Sequence, residues 1–77
     1  MKGYEECKKI ALEKAKKYNA TINHAYSIGN DFVFDSDEEY MGVLPVVVRA
    51  EDGSTAGIWF YLEEVDKTWD DLVEIEL

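Results

Sequence analysis

The chain has 77 residues, a formal net charge of −9 and one cysteine. This length predicts one small domain spanning residues 1–77, and the 47% of hydrophobic residues excludes a disordered chain. The lone Cys7 excludes an internal disulfide, which suits the reducing cytoplasm. The sequence has no apolar run of the kind that forms a signal peptide or a membrane span, so we expect a cytoplasmic protein.

The charge is unevenly distributed along the chain. Residues 1–20 hold six of the eight basic residues and three of the seventeen acidic ones, so residues 21–77 form an acidic body. Such a body repels phosphate, which argues against nucleic-acid and anionic membrane partners. It attracts basic proteins. The alternative is that the acidic surface serves only to keep the protein in solution.

Residues 3–18 are predicted to form the first element, a helix. Its apolar residues recur at spacings of three and four and define one stripe: Tyr4, Cys7, Ala11, Ala15 and Tyr18. Asn19 is the expected C-terminal cap.

Four strands are predicted to follow, over residues 21–28, 31–35, 43–50 and 55–62. Gly29-Asn30 is a two-residue hairpin signal, because glycine accepts the positive φ that begins a type II′ turn. Residues 51–54 supply a second turn, and Pro45 must lie where a strand needs no N–H donor. In residues 21–28, Ile22, His24, Tyr26 and Ile28 are expected on one face.

The apolar residues of the C-terminal tail fit both the helical and the strand period. We predict a short helix over about Val65–Leu72 followed by a terminal strand. The chain therefore predicts an α+β fold. In it, the N-terminal helix packs on a four- to five-stranded antiparallel meander sheet with a short C-terminal helix or strand.

An acidic loop lies between the second and third predicted strands and contains Asp35, Asp37, Glu38 and Glu39. The loop departs from the EF-hand pattern, because Tyr40 and Val46 stand at its sixth and twelfth positions. A looser calcium or magnesium site is the alternative to a solvated loop that doubles as a charged contact surface. We expect the solvated loop, with no bound metal and no cofactor.

Catalytic motifs are not found in the sequence, and we expect a protein that is not an enzyme. His24 is the single histidine, and with one cysteine it cannot complete a zinc site. A Cys7–His24 nucleophilic pair is conceivable, but Cys7 lies on the apolar stripe of the helix, where a buried thiol is expected.

A candidate interaction surface follows from the strand predicted over residues 55–62, which is apolar on both faces. One helix covers only one face of a sheet. The other face would then present Val47, Arg49, Trp59 and Tyr61 to a second copy or to another protein. The alternative is that the tail folds over this face through Trp69 and Leu72.

A set of features in chain order resembles small bacterial immunity-type proteins of toxin systems and short uncharacterised Firmicutes proteins. They are Glu5 and Glu6 with Ala11 and Ala15, then Phe32-Val33-Phe34, Gly42, Pro45-Val46-Val47-Val48 and Gly53. The resemblance implies a cytoplasmic binding protein that covers a partner, such as a basic toxin, and it assigns no individual residue. We therefore expect a small acidic protein-interaction module. The alternative is a domain that binds a small ligand or a divalent metal through the acidic loop.

Overall fold

The computed structural model describes residues 1–40 and 42–77 and confirms the α+β fold. Five antiparallel strands form one sheet in the order β4-β3-β2-β1-β5, so β4 and β5 are its edges. In chain order the elements are α1 (Tyr4–Lys17), β1 (His24–Ile28), β2 (Asp31–Asp35), β3 (Val46–Val48), β4 (Thr55–Gly57), α2 (Ile58–Glu64), a 3-10 turn (Trp69–Asp71) and β5 (Val73–Ile75).

Helix α1 ends at Lys17, and the predicted capping residue, Asn19, follows two positions later. This residue has a left-handed backbone with φ of 55°. The N–H of Ala20 donates to the carbonyl of Ala15 at 2.9 Å, and the N–H of Asn19 donates to that of Lys16 at 3.2 Å. These two bonds satisfy carbonyl groups that the end of a helix leaves open, and they turn the chain toward the sheet.

The predicted Gly29-Asn30 hairpin sets the register of β1 and β2. Gly29 has a φ of +59°, and Ile28 pairs with Asp31 across the two-residue turn. Register matters here because a slip by one residue would exchange the two faces of each strand.

The sheet separates two hydrophobic cores. The first core lies under α1 and contains Cys7, Ala11, Ala15, Ile22, Ala25, Phe34, Val46 and Val48. The second core lies on the opposite face and contains Ile28, Val33, Val47, Ile58, Tyr61 and Leu62. Alternation along β2 and β3 explains why neighbouring residues, such as Val33 and Phe34, enter different cores.

The strand predicted over residues 55–62 is wrong in its second half. Only Thr55–Gly57 forms β4, and Ile58–Glu64 forms α2. The apolar residues of α2 recur at spacings of three and four, which places Ile58, Tyr61 and Leu62 on one helical face. This arrangement buries the second face of the sheet, which a continued strand would have left open to water.

Three smaller predictions also differ from the structure. Ile22 packs in the first core and Ile28 in the second, because residues 21–23 precede β1 and do not continue its alternation. Strand β3 covers residues 46–48 and not 43–50, and Pro45 stands immediately before it. The predicted helix of the tail is one 3-10 turn, and the terminal strand pairs with β1 through Val73–Ile75.

The end of the chain is fastened to α1. The hydroxyl of Tyr4 donates to the carbonyl of Glu76 at 3.3 Å, and the ammonium of Lys8 donates to that of Leu77 at 2.8 Å. Within residues 1–40 and 42–77, neither helix has the length and apolar character needed to cross a bilayer.

Candidate functional site

The acidic loop is anchored by the residues that lead into β1. The side-chain oxygen of Asn23 accepts the hydroxyl of Ser36 at 3.0 Å and the N–H of Asp37 at 3.2 Å. The N–H of Glu38 donates to the Ser36 hydroxyl at 3.2 Å. The loop therefore has a defined shape, although Asp37, Glu38 and Glu39 are exposed.

His24 joins this loop to the C-terminal strand. Its Nε2 lies 2.5 Å from a carboxylate oxygen of Asp37, and its Nδ1 lies 3.3 Å from one of Glu74. The hydrogen bond to Asp37, supported by the charges of both acids, raises the pKa of His24 above its ordinary value. The imidazolium can donate to both acids at once, which the neutral ring cannot do.

No group of three His, Cys, Asp or Glu side chains in the described part of the chain is arranged to hold a metal ion. In the acidic loop, Asp35 accepts the N–H of Ser36 at 2.8 Å and Glu38 accepts the hydroxyl of Tyr40 at 3.2 Å. Asp37 is engaged by His24. The carboxylates thus serve the loop and its surroundings, and the metal-binding alternative gains no ligand set from this geometry.

The four residues predicted to form an open interaction surface do not share one. Val47 is fully buried and Tyr61 is 4% exposed, both in the second core, because α2 lies over the sheet face that carries Val47 and directs Tyr61 onto it. Arg49 is half-buried beside them. Only Trp59 is freely accessible, with 70% of its surface exposed.

Arg49 and Tyr61 belong instead to a polar network at the edge of the second core. The guanidinium lies 5.8 Å from the centre of the Tyr61 ring and 2.5 Å from the carboxylate of Glu64. The Tyr61 hydroxyl donates to Asp31, whose other oxygen accepts the N–H of Ala50 at 2.8 Å. Burial and the bond to Asp31 raise the pKa of Tyr61, so it remains a neutral donor.

An aromatic row runs over the surface next to α2, formed by Tyr26, Trp69 and Trp59. The ring centres of Tyr26 and Trp69 are 5.8 Å apart, and those of Trp69 and Trp59 are 6.2 Å apart. Phe60, which follows Trp59 in α2, is 81% exposed. Aromatic side chains in water at this density are typical of surfaces that bind a partner.

The acidic loop and Trp59 meet in a groove of about 590 Å³, which we call the acidic groove. Residues 35–40 of the loop and residues 42–45, which follow it, line one wall. The other wall is the end of β4 and the start of α2, with Trp59 at its rim. All four predicted acidic-loop residues line the groove, against one cation, Lys14, whose ammonium lies 3.4 Å from the hydroxyl of Thr55.

Cys7 lies in the first core and is fully buried. Burial raises the pKa of its thiol, which disfavours the thiolate that a nucleophile requires. The ring nitrogens of His24 are engaged by Asp37 and Glu74. The structure thus places the two members of the conceivable nucleophilic pair in different environments.

Sequence reasoning missed the part that Tyr40, Leu44 and Pro45 play in the groove. It also missed Tyr26 of the aromatic row. The alternative that the tail folds over this face is met in part, since Leu72 packs against the second core and Trp69 lies against Tyr26. One signal in the sequence indicates α2 and the exposure of Trp59. Apolar residues at helical spacing form a stripe that leaves Trp59 outside it: Ile58, Tyr61, Leu62 and Val65. No protein-family model, curated protein or solved structure matches this chain.

Proposed function

We propose that the chain is a non-catalytic protein-interaction module that binds a basic segment of another protein in the acidic groove. One observation carries this proposal: four acidic side chains and the exposed ring of Trp59 line the same concave surface. Carboxylates attract lysine and arginine, and the face of a tryptophan attracts the same cations.

The groove also provides apolar surface between its charged wall and its aromatic rim, from Val43, Leu44 and Pro45. A chain that alternates basic and apolar residues matches both chemistries. Interfaces commonly combine such an apolar centre with a charged rim. The net charge of −9 would raise the rate of association with a basic partner.

The lone, buried Cys7 fits action in the cytoplasm, which is part of the proposal. The resemblance of the sequence to immunity-type proteins fits a basic toxin as partner. That identity rests on the resemblance alone, whereas the basic character of the bound segment rests on the groove.

The test is a titration of the protein with a capped octapeptide of alternating lysine and valine, measured by calorimetry. A Glu38→Gln/Glu39→Gln variant removes two charges from the groove and should weaken binding several-fold. The matched control is Glu51→Gln/Glu76→Gln, which removes two exposed charges elsewhere on the surface. Equal weakening in both variants would mean that net charge acts without the groove, and the proposal would fail.

Trp59→Ala provides a second arm of the test. Since the side chain is 70% exposed, its loss should change the melting temperature little. Binding of the peptide should nevertheless weaken by about tenfold if the ring is a central contact. A variant that unfolds instead would show that Trp59 supports the fold and not a partner.

A further inference from the structure

Strand β4 is an open edge of the sheet. It pairs with β3 on one side, through Val46 with Gly57, Val47 with Ala56 and Val48 with Thr55. No strand of the described chain lies on its other side, since β4 ends the strand order. An edge of this kind offers backbone groups to an additional strand.

The hydrogen bonds of the hairpin indicate which backbone groups face outward. The N–H of Arg49 donates to the carbonyl of Ser54 at 2.9 Å, and the carbonyl of Arg49 accepts the N–H of Gly53 at 2.8 Å. The backbone of Arg49 therefore faces the β4 side, as that of a residue in a hydrogen-bonded pair does. Such pairs alternate with non-bonded pairs along an antiparallel ladder. Ala56 therefore directs its backbone groups toward β3, Thr55 directs its N–H and carbonyl toward the open edge, and Gly57 directs its N–H there. The carbonyl of Gly57 belongs to the N-cap of α2, where it accepts the first N–H of that helix.

The open edge leads into the acidic groove. Ala56 and Gly57 line the groove, and Trp59 follows them on its rim. Across from this wall stand the carboxylates of the loop, among them Glu38 and Glu39. A strand placed beside β4 would thus reach the groove at its Gly57 end, where the acids would meet its side chains.

We propose that an extended basic segment of a partner protein adds to β4 as a sixth strand of the sheet. This inference rests on the proposed function and specifies how the segment is held. Backbone hydrogen bonds to Thr55 and Gly57 supply affinity that is independent of side chains, and the acidic groove selects lysine and arginine. Trp59 covers the end of the added strand.

A second copy of the chain is a poorer occupant of the same edge. Pairing two β4 strands would bring two acidic grooves together in a chain that carries a charge of −9. Like charges placed together disfavour association, whereas a basic segment neutralises the groove. Dimerisation through β4 is therefore an outcome that would contradict the proposal.

Gly57 allows a test that removes one outward N–H without disturbing the fold. Its φ of −69° and ψ of 145° suit proline, and Ala56 before it is in a strand, as the residue before proline prefers. A Cβ at position 57 would have the ring of Phe60 as its nearest neighbour, at 4.0 Å. Gly57→Ala retains the N–H and is the matched comparison for Gly57→Pro.

The experiment titrates both variants with the capped lysine–valine octapeptide and with the same peptide N-methylated at alternate residues. We expect Gly57→Pro to bind the unmodified peptide about tenfold more weakly than Gly57→Ala, because a donor is lost and the ring obstructs the added strand. We expect the methylated peptide, which has the same charge, to bind more weakly to the wild-type protein as well.

The outcomes separate this inference from the proposed function. Equal affinities for the two Gly57 variants and the two peptides, with binding still weakened by Glu38→Gln/Glu39→Gln, would overturn strand addition and leave the proposed function standing. Peptide binding that is indifferent to Glu38 and Glu39 would overturn both. Concentration-dependent dimers that Gly57→Pro abolishes would assign the edge to a second copy and overturn the inference.

Discussion

The phenol of Tyr61 donates a hydrogen bond to the carboxylate of Asp31, and this bond fastens α2 to the start of β2. The same carboxylate accepts the N–H of Ala50 at 2.8 Å, so it also holds the end of β3. One acidic side chain thus connects the helix of the second core to two neighbouring strands.

Tyr61→Phe should therefore destabilise the protein by about 1.5–3 kcal/mol, the usual contribution of a hydrogen bond to a charged group. The ring remains under Arg49, so the packing of α2 is preserved. Chemical denaturation of Tyr61→Phe, Asp31→Ala and the double variant would measure the coupling. Strictly additive losses would show that the bond contributes nothing to stability.

His24 gives the stability of the fold a dependence on pH. Because the pKa of His24 is raised in the folded state, its protonated form stabilises the fold. This contribution is fully present below the ordinary pKa of 6.5 and is lost as the pH rises through the raised value. Thermal melting of the wild type and His24→Gln should show a gap in stability that closes at alkaline pH.

A gap that stays constant as the pH rises through the raised pKa of His24 would show that His24 acts through packing and not through charge.

Asp66 stands where the C-terminus of α2 would favour glycine. Its φ is 56°, and the N–H of Lys67 donates to the carbonyl of Leu62 at 2.9 Å, as at the end of α1. The negative charge of a carboxylate here is also unfavourable, because it lies near the negative end of the helix dipole. Asp66→Gly should stabilise the protein by about 0.5–1 kcal/mol. Asp70→Gly, in the following turn, is the control and should not stabilise.

Gly29 and Gly53 form a matched pair of turn glycines. Both have positive φ, but a Cβ at Gly29 would meet no atom within 4 Å, whereas one at Gly53 would lie 2.9 Å from the end of the Ile10 side chain and 2.7 Å from that of Lys2. Gly29→Ala should cost about 1 kcal/mol from the backbone alone. Gly53→Ala should cost more, and equal losses on denaturation would show that these side chains move aside freely.

The sequence alone predicted the elements whose signals are local. The buried stripe of α1 appeared through Cys7, Ala11 and Ala15, although Tyr18 lies past the end of the helix and is exposed. The left-handed Asn19 and the Gly29-Asn30 hairpin also appeared as expected, because spacing, capping and turn chemistry act between residues close in the chain. Of the acidic-loop residues, Asp37, Glu38 and Glu39 lie between β2 and β3 and are exposed, as a run of charges between two strands should be, whereas Asp35 is the last residue of β2.

Tertiary structure decided the conformation of residues 58–62, because their apolar side chains fit both the strand and the helical period. A sheet with one helix leaves a hydrophobic face in water, and folding this segment as α2 over Val33 and Val47 removes that cost. The same choice buried Tyr61 and exposed Trp59, so it determined which aromatic residue can meet a partner. The acidic groove and the His24–Glu74 contact likewise depend on residues far apart in the chain, whose meeting no local pattern encodes.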